Sequence, residues 1–272
     1  MSGTIDLQRE DIYRGSLILV NREYEYRDEE AVLHQTMDLS APGCGETAQT
    51  LMQRRAALLL DSLMEGIGGW REIVPVSGWR SWREQEAIWE ESLAKSGREF
   101  TEKYVALPGH SEHQTGLAID LGKRQEKIDF IRPDFPYTGI CQIFRRKAAQ
   151  YGFIERYPAG KELITGIGHE PWHFRYVGIP HAQIMREKDM TLEEYVAFIR
   201  QFPYGEAAYH VREGGREIEV SYLKAREGST RLEMDPGIPY AVSGNNVDGF
   251  VITQWKRRQG YVQSRRDGEV SA

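Results

Sequence analysis

The pentapeptide His169-Glu170-Pro171-Trp172-His173 spells a metal-binding pattern while ruling out the structure that pattern usually needs. Two histidines four residues apart share one metal when a helix sets them on the same face. Pro171 has no backbone donor and its ring clashes with the preceding turn, so a helix cannot run through this point undisturbed. From Trp172 to Val177 large apolar and polar residues alternate, the period of a strand. The segment therefore reads as extended, and His169 and His173 are not both assigned as ligands. In an extended stretch, residues two or three apart can reach a common centre. Glu170 and His173 are then the better pair, His173 as a metal ligand and Glu170 as general base on the metal's water.

A second segment supplies what this pair lacks. Residues 101–116, which end in Gly109-His110-Ser111-Glu112-His113-Gln114-Thr115-Gly116, are polar and Gly/His-rich and read as loop, and Leu117-Ala118-Ile119-Asp120-Leu121 reads as a buried strand. Asp120, flanked by Ile119 and Leu121, cannot stay charged in an apolar strand without a partner. A divalent metal is one such partner; an arginine or backbone amides are the others. With His113 seven residues upstream and the His/Glu cluster downstream, the metal is the favoured reading. Three protein ligands, a water and a base are the inventory of a catalytic zinc site.

Composition narrows the alternatives. A chain of 272 residues accommodates one core of roughly 150–200 residues plus a small module. The formal charge of −6 offers no basic stripe, so no nucleic-acid partner is expected. Two cysteines, Cys44 and Cys141, are too few for a disulfide framework or a cysteine zinc site; one bridge or two free thiols both remain open. No apolar run is long enough to cross a membrane. The start, Met1 to Asp6, has neither the basic nor the apolar part of an export signal. That fits a bacterial cytoplasmic protein, or a cell-envelope protein whose signal or anchor lies outside this chain.

Helical periodicity marks residues 46–66, 141–151, 181–188 and 191–202, and Ser81 can cap a helix running to Lys95. Strands are expected at 16–20, 72–76, 117–121 and 172–177. Beyond Gly205 the texture becomes strand-like, with hairpin signals at Gly214-Gly215 and Ser243 to Asn246. The expected fold is α+β: a small mixed or antiparallel sheet flanked by helices in residues 1–204, followed by a small all-β module in 205–272.

Two motifs, Ser111 to Asp120 and Glu170 to His173, joined by Ser77-Gly78-Trp79-Arg80-Ser81 with Gln85, resemble the LAS zinc peptidases. These include the VanY-type D-alanyl-D-alanine carboxypeptidases, the VanX-type dipeptidases and the L-alanyl-D-glutamate peptidases. Trp79 departs from the tyrosine more usual in the VanY branch. The resemblance spans about residues 15–190 and leaves the segment after 205 uncovered. It implies one Zn2+ per chain on His113, Asp120 and His173, Glu170 as base and Arg80 at the oxyanion or scissile carbonyl. It implies that Ser111 and Gln85 hold substrate; Trp172 is core packing or a wall of the substrate pocket. His110 and His169 read as supporting residues, and His34, His181 and His210 as isolated ones.

The expected function is removal of the terminal D-Ala from a peptidoglycan stem peptide or muramyl pentapeptide precursor. A D,D-dipeptidase or an L,D- or endopeptidase would use the same metal chemistry. A rival of another class is a non-catalytic wall-binding protein on a peptidase fold.

Overall fold

The computed structural model describes residues 3–28, 36–39, 50–213 and 215–256. The chain passes through β1 (Gly3–Gln8), β2 (Thr36–Asp38), β3 (Leu51–Gln53), α1 (Arg54–Ile67) and β4 (Ile73–Ser77). Next come α2 (Trp82–Ser96), α3 (Arg98–Tyr104), β5 (Ala118–Lys123), α4 (Gly139–Ala148) and β6 (Phe153–Tyr157). After α5 (Glu162–Thr165) it enters β7 (Glu170–Tyr176), then α6 (His181–Lys188) and α7 (Leu192–Ile199). Five strands close the described chain: β8 (Tyr209–Glu213), β9 (Arg216–Lys224), β10 (Ser229–Met234), β11 (Tyr240–Gly244) and β12 (Gly249–Lys256).

Two four-stranded antiparallel sheets organise these elements, ordered β4-β5-β7-β6 and β11-β12-β9-β8. The fold is α+β with small antiparallel sheets, as its patterning predicts. One face of the first sheet is covered by α1 and α4. Leu60, Leu63 and Met64 meet Ile119, Leu121, Phe144 and Phe174 there. Phe174 packs edge-on to Phe135 and Phe144, with centroids 5.4 and 4.8 Å away. The other face is left for polar chemistry.

A second core joins the two halves of the chain. Leu17 and Leu19 pack with Ile184, Tyr195, Val220 and Val251. β1 also pairs with β10, bringing the start of the chain onto the C-terminal strands. We retain residues 1–204 and 205–272 as a proposed division of the chain, with an extensive apolar contact between its parts.

Three local expectations are corrected. Ser16 to Val20 is not a strand, although Leu17 to Val20 are buried. Its backbone groups bond to side chains and a turn instead: Leu17 N–H donates to Ser243 Oγ (2.9 Å) and Leu19 N–H to the Asn245 carbonyl (3.1 Å). The helix expected from residue 46 begins at Arg54, because Leu51–Gln53 pairs with β2. The stretch 101–116, read as loop, contains most of α3 and a 3₁₀ turn at Glu112–Thr115. Cys141 is a buried free thiol, while Cys44, His34 and Gly214 lie outside the described residues.

The cap on α2 forms as expected. Ser81 Oγ accepts from Glu84 N–H (3.2 Å), and Glu84 Oε2 accepts from Ser81 N–H (2.8 Å). This helix carries Gln85 toward the open face of the sheet. Ser81→Ala should cost about 1 kcal/mol of stability in a chemical denaturation series; an unchanged midpoint would show that the cap contributes nothing.

Candidate active site

Sheet register brings the first two candidate ligands together. Asp120 of β5 lies opposite His173 of β7, and opposite residues in a ladder share a face. His173 Nδ1 is 2.9 Å from Asp120 Oδ1, and His113 Nε2 is 3.1 Å from Asp120 Oδ2. His113 arrives from the 3₁₀ turn, which Gly116 ends in the left-handed region at φ +68°. One ligand atom from each of the three residues falls within 4.8 Å of the others.

The Ser77 to Arg80 segment anchors this arrangement. Ser77 pairs with Asp120 in the sheet. Gly78 then passes so close to β3 that a Cβ would lie 2.3 Å from the Leu51 carbonyl oxygen. Its own carbonyl accepts from His113 Nδ1 at 2.7 Å. That bond selects the tautomer whose Nε2 lone pair faces Asp120. Burial, with Arg80 nearby, pushes His113 down to about 4, so it is a neutral donor at neutral pH.

His173 is oriented from behind. Its Nε2 lies 3.5 Å from Glu112 Oε2. Burial opposes its charged form, yet the buried carboxylates of Asp120 and Glu112 beside it lift it to about 9. Glu112 is itself fully buried and accepts from Arg156 Nε and Arg175 Nη1, each at 2.8 Å. Burial works against its charge, but the two guanidinium groups hold the carboxyl well below the usual range. Asp120 behaves similarly: burial works against its charge, but His173 beside it holds the carboxyl below the usual range. Glu112, Arg156 and Arg175 are absent from the expected site, although Glu112 lies inside the His110 to His113 motif.

Donor chemistry and packing both fit a divalent cation. Asp120 Oδ1 is buried without a hydrogen-bond partner among the described residues. Two imidazole nitrogens and a carboxylate suit Zn2+, with room for a fourth ligand.

A cleft opens over this cluster. Arg80, Gln85, Ser111, Glu170 and Trp172 line it together with His113, Asp120 and His173, so all eight candidate residues share one cavity. Glu170 Oε2 is 3.7 Å from His173 Nδ1, and Arg80 Nη2 is 4.0 Å from Asp120 Oδ2. Gln85 Nε2 donates to the Ala106 carbonyl (2.7 Å), leaving its Oε1 buried and unpartnered among the described residues. Tyr157 adds a wall, its ring 4.8 Å from that of His173. His169 lies outside the ligand set, bonded to Tyr137 (2.8 Å); His110 Nδ1 holds the Asn21 carbonyl (2.7 Å). His181 is remote and buried against Tyr195 and Thr253.

An antiparallel sheet carrying a buried His/Asp/His set beside a further buried carboxyl defines an α+β frame with one candidate metal centre. Comparison with known proteins narrows the class. The VanY family model, described as D-alanyl-D-alanine carboxypeptidase, matches residues 49–179. The bifunctional D-Ala-D-Ala dipeptidase and D-Ala-D-Ala carboxypeptidase VanXYC of Enterococcus gallinarum is 46% identical over 151 residues, covering 55% of this chain and 80% of its own. The solved vancomycin-resistance D,D-dipeptidase VanXYg, in complex with a D-Ala-D-Ala phosphinate analogue, superposes with a TM-score of 0.87 at 49% identity, over 94% of this chain and all of that one. A mutant VanY D,D-pentapeptidase from a VanB-type cassette, solved with Zn(II), gives a TM-score of 0.53 at 30% identity, over 66% of this chain and 98% of that one. The chain belongs to the VanY family.

Burial of Glu170 has a measurable consequence. Burial lifts its carboxyl to about 8 despite the opposing pull of His173. The ionised form is therefore disfavoured in the folded, metal-free protein. Its favourable contribution is complete below the unfolded value and is lost as pH rises through about 8. With chelator present, Glu170→Gln should match the wild-type Tm near pH 4 and exceed it increasingly toward pH 9. Parallel Tm curves across that range would remove the burial argument.

Proposed function

We propose that this chain is a zinc-dependent D,D-carboxypeptidase. Its substrate is a peptidoglycan stem pentapeptide or muramyl pentapeptide precursor, from which it removes the terminal D-Ala. The observation that carries this reading is the convergence of three buried ligand atoms within 4.8 Å, with the Glu170 carboxyl beside them in the same cleft. Family membership and the named activities of the relatives support it. Their vancomycin-resistance setting supports a role in resistance to that antibiotic.

His113, Asp120 and His173 hold one Zn2+ in this reading. When bound, the metal supplies a Lewis acid for the scissile carbonyl and lowers the pKa of water toward neutrality. Glu170 accepts the proton of the attacking water and delivers it to the amine of the departing D-Ala. No covalent link to the protein is formed. Arg80 offers a cation where the carbonyl oxygen gains charge, an interaction that strengthens toward the transition state. Ser111 and Gln85 orient the peptide, and Trp172 walls the pocket.

A second activity has specific support. The likeness to VanXYg covers nearly the whole chain, and VanXYC carries both activities in its name. D,D-dipeptidase action on free D-Ala-D-Ala therefore stands beside the carboxypeptidase reading. Wall binding without catalysis is disfavoured by the intact ligand-plus-carboxyl set.

D-Ala release from a muramyl pentapeptide and from D-Ala-D-Ala tests both. Release should vanish with chelator and return with zinc. Glu170→Ala should retain zinc while losing about 10²–10⁴-fold in kcat. Metal-independent release, or full turnover in that variant, would overturn the mechanism. Release from the pentapeptide alone would remove the second activity.

A further inference from the structure

A regular strand cannot place Glu170 and His173 on the same face. Side chains alternate, so residues three apart point to opposite sides. Both nevertheless line the cleft. The alternation breaks where the pairing with β6 shifts register. β6 and β7 pair at Glu155↔Phe174 and next at Tyr157↔Glu170, so one residue of β6 faces three of β7: Pro171, Trp172 and His173. His173, at one end, is held by its pairing with Asp120. Glu170, at the other, has no such neighbour in β5, whose pairing with β7 stops at His173.

The bulge is gripped from the side opposite the cleft. Arg145 of α4 is almost fully buried, and its guanidinium fork reaches three backbone carbonyls. It donates through Nη2 to Pro171 (2.6 Å) and Phe135 (2.6 Å), and through Nη1 to Pro136 (2.7 Å). Nε bonds to Glu155 Oε2 at 2.8 Å. The guanidinium also lies over the Tyr137 ring, 3.9 Å from its centroid. The Tyr137 hydroxyl is bonded to Glu155 and lies 2.8 Å from His169 Nε2. One cluster thus holds both chain neighbours of Glu170: the imidazole before it and the carbonyl after it.

We propose that Arg145 is a positioning residue for Glu170, which sets the bulge that brings the proton-accepting carboxyl onto the face of the metal ligands. The fork can bind three carbonyls at fixed angles; a lysine ammonium has neither the reach nor the planarity to do so. The inference rests on Glu170 being the base of the proposed reaction.

The test uses the zinc-loaded full chain and compares Arg145→Ala, Arg145→Lys and Glu170→Ala on D-Ala release. Arg145→Ala should keep the wild-type zinc stoichiometry and KM while kcat falls at least about tenfold, since an error near 1 Å in a catalytic group can cost about a hundredfold. Arg145→Lys should recover part of that loss, and millimolar guanidinium should partly restore kcat to Arg145→Ala. Wild-type kcat in folded Arg145→Ala, or a loss that only follows loss of zinc, would overturn the inference. Should Arg145→Ala fail to fold, Arg145→Lys decides: an intermediate kcat with zinc retained supports positioning, and wild-type kcat overturns it. If Glu170→Ala is inactive and the Arg145 variants are wild type, only the positioning role falls. Full turnover in Glu170→Ala would remove both readings.

Discussion

The buried carboxylate of Glu112 is the interaction on which the other charges of the site depend. An isolated ion in this position would be severely destabilising, and removing one partner from a buried pair costs about 3–5 kcal/mol. Here the charges balance. Glu112 lies between Arg156 and Arg175, and Arg156 makes a two-pronged contact with Glu193 at 2.9 and 2.6 Å. Arg175 continues to the carbonyls of Ser16 and Ile18. The network therefore ties the motif turn, β6, β7, α7 and the N-terminal segment into one unit. Its product at the cleft is modest and specific. One oxygen of Glu112 faces His173 from behind, so the imidazole presents its other nitrogen to Asp120.

That network was invisible from sequence for a physical reason. Its arginines lie 44 and 63 residues from Glu112, and charge pairing over such distances leaves no periodic trace. The candidate ligand motifs were legible because each constrains its own surroundings. Asp120 stands in an apolar strand where an unpartnered charge is costly, and Pro171 prevents helix between two histidines. Elsewhere local pattern misled. Ser16 to Val20 has the apolar run of a strand, but such a run reports burial and says nothing about which groups complete its hydrogen bonds. α3, Arg98–Tyr104, carries too few apolar residues to show a helical stripe. The bulge in β7 depends on pairing with β6 and on Arg145, neither of which has a local signature.

The C-terminal strands bear on the same cleft through the N-terminal segment. Asn246, in the left-handed region at φ +59°, donates through Nδ2 to the carbonyls of Leu19 (2.7 Å) and Glu25 (3.0 Å). The next turns of that segment reach the motif loop. Tyr26 N–H donates to the Gly109 carbonyl at 2.8 Å, and His110 Nδ1 contacts the Asn21 carbonyl at 2.7 Å. An asparagine side chain thus does for residues 19–25 what a neighbouring strand would otherwise do. It satisfies buried carbonyls and fixes the segment's path. The loop carrying Ser111 and His113 is braced on one side by β3 and β4 and on the other by this strap.

A helix-borne pair of histidines owes its spacing to the helical repeat, a property of one segment. In this fold the spacing belongs to the sheet. Asp120 meets His173 only because β5 and β7 pair in one register. A slip by one residue would turn either strand's side chains to the other face. What prevents the slip is the opposite side of the same pair. Ile119 stands opposite Phe174, and both are fully buried among Leu121, Phe135 and Phe144. A slipped strand would expose that apolar surface while burying Asp120 and His173 among aromatic rings. The core residues beside Asp120 and His173 therefore specify the geometry of the His/Asp/His cluster as surely as those residues do. The same alternation that makes the register robust makes a bulge necessary before Glu170 can join them.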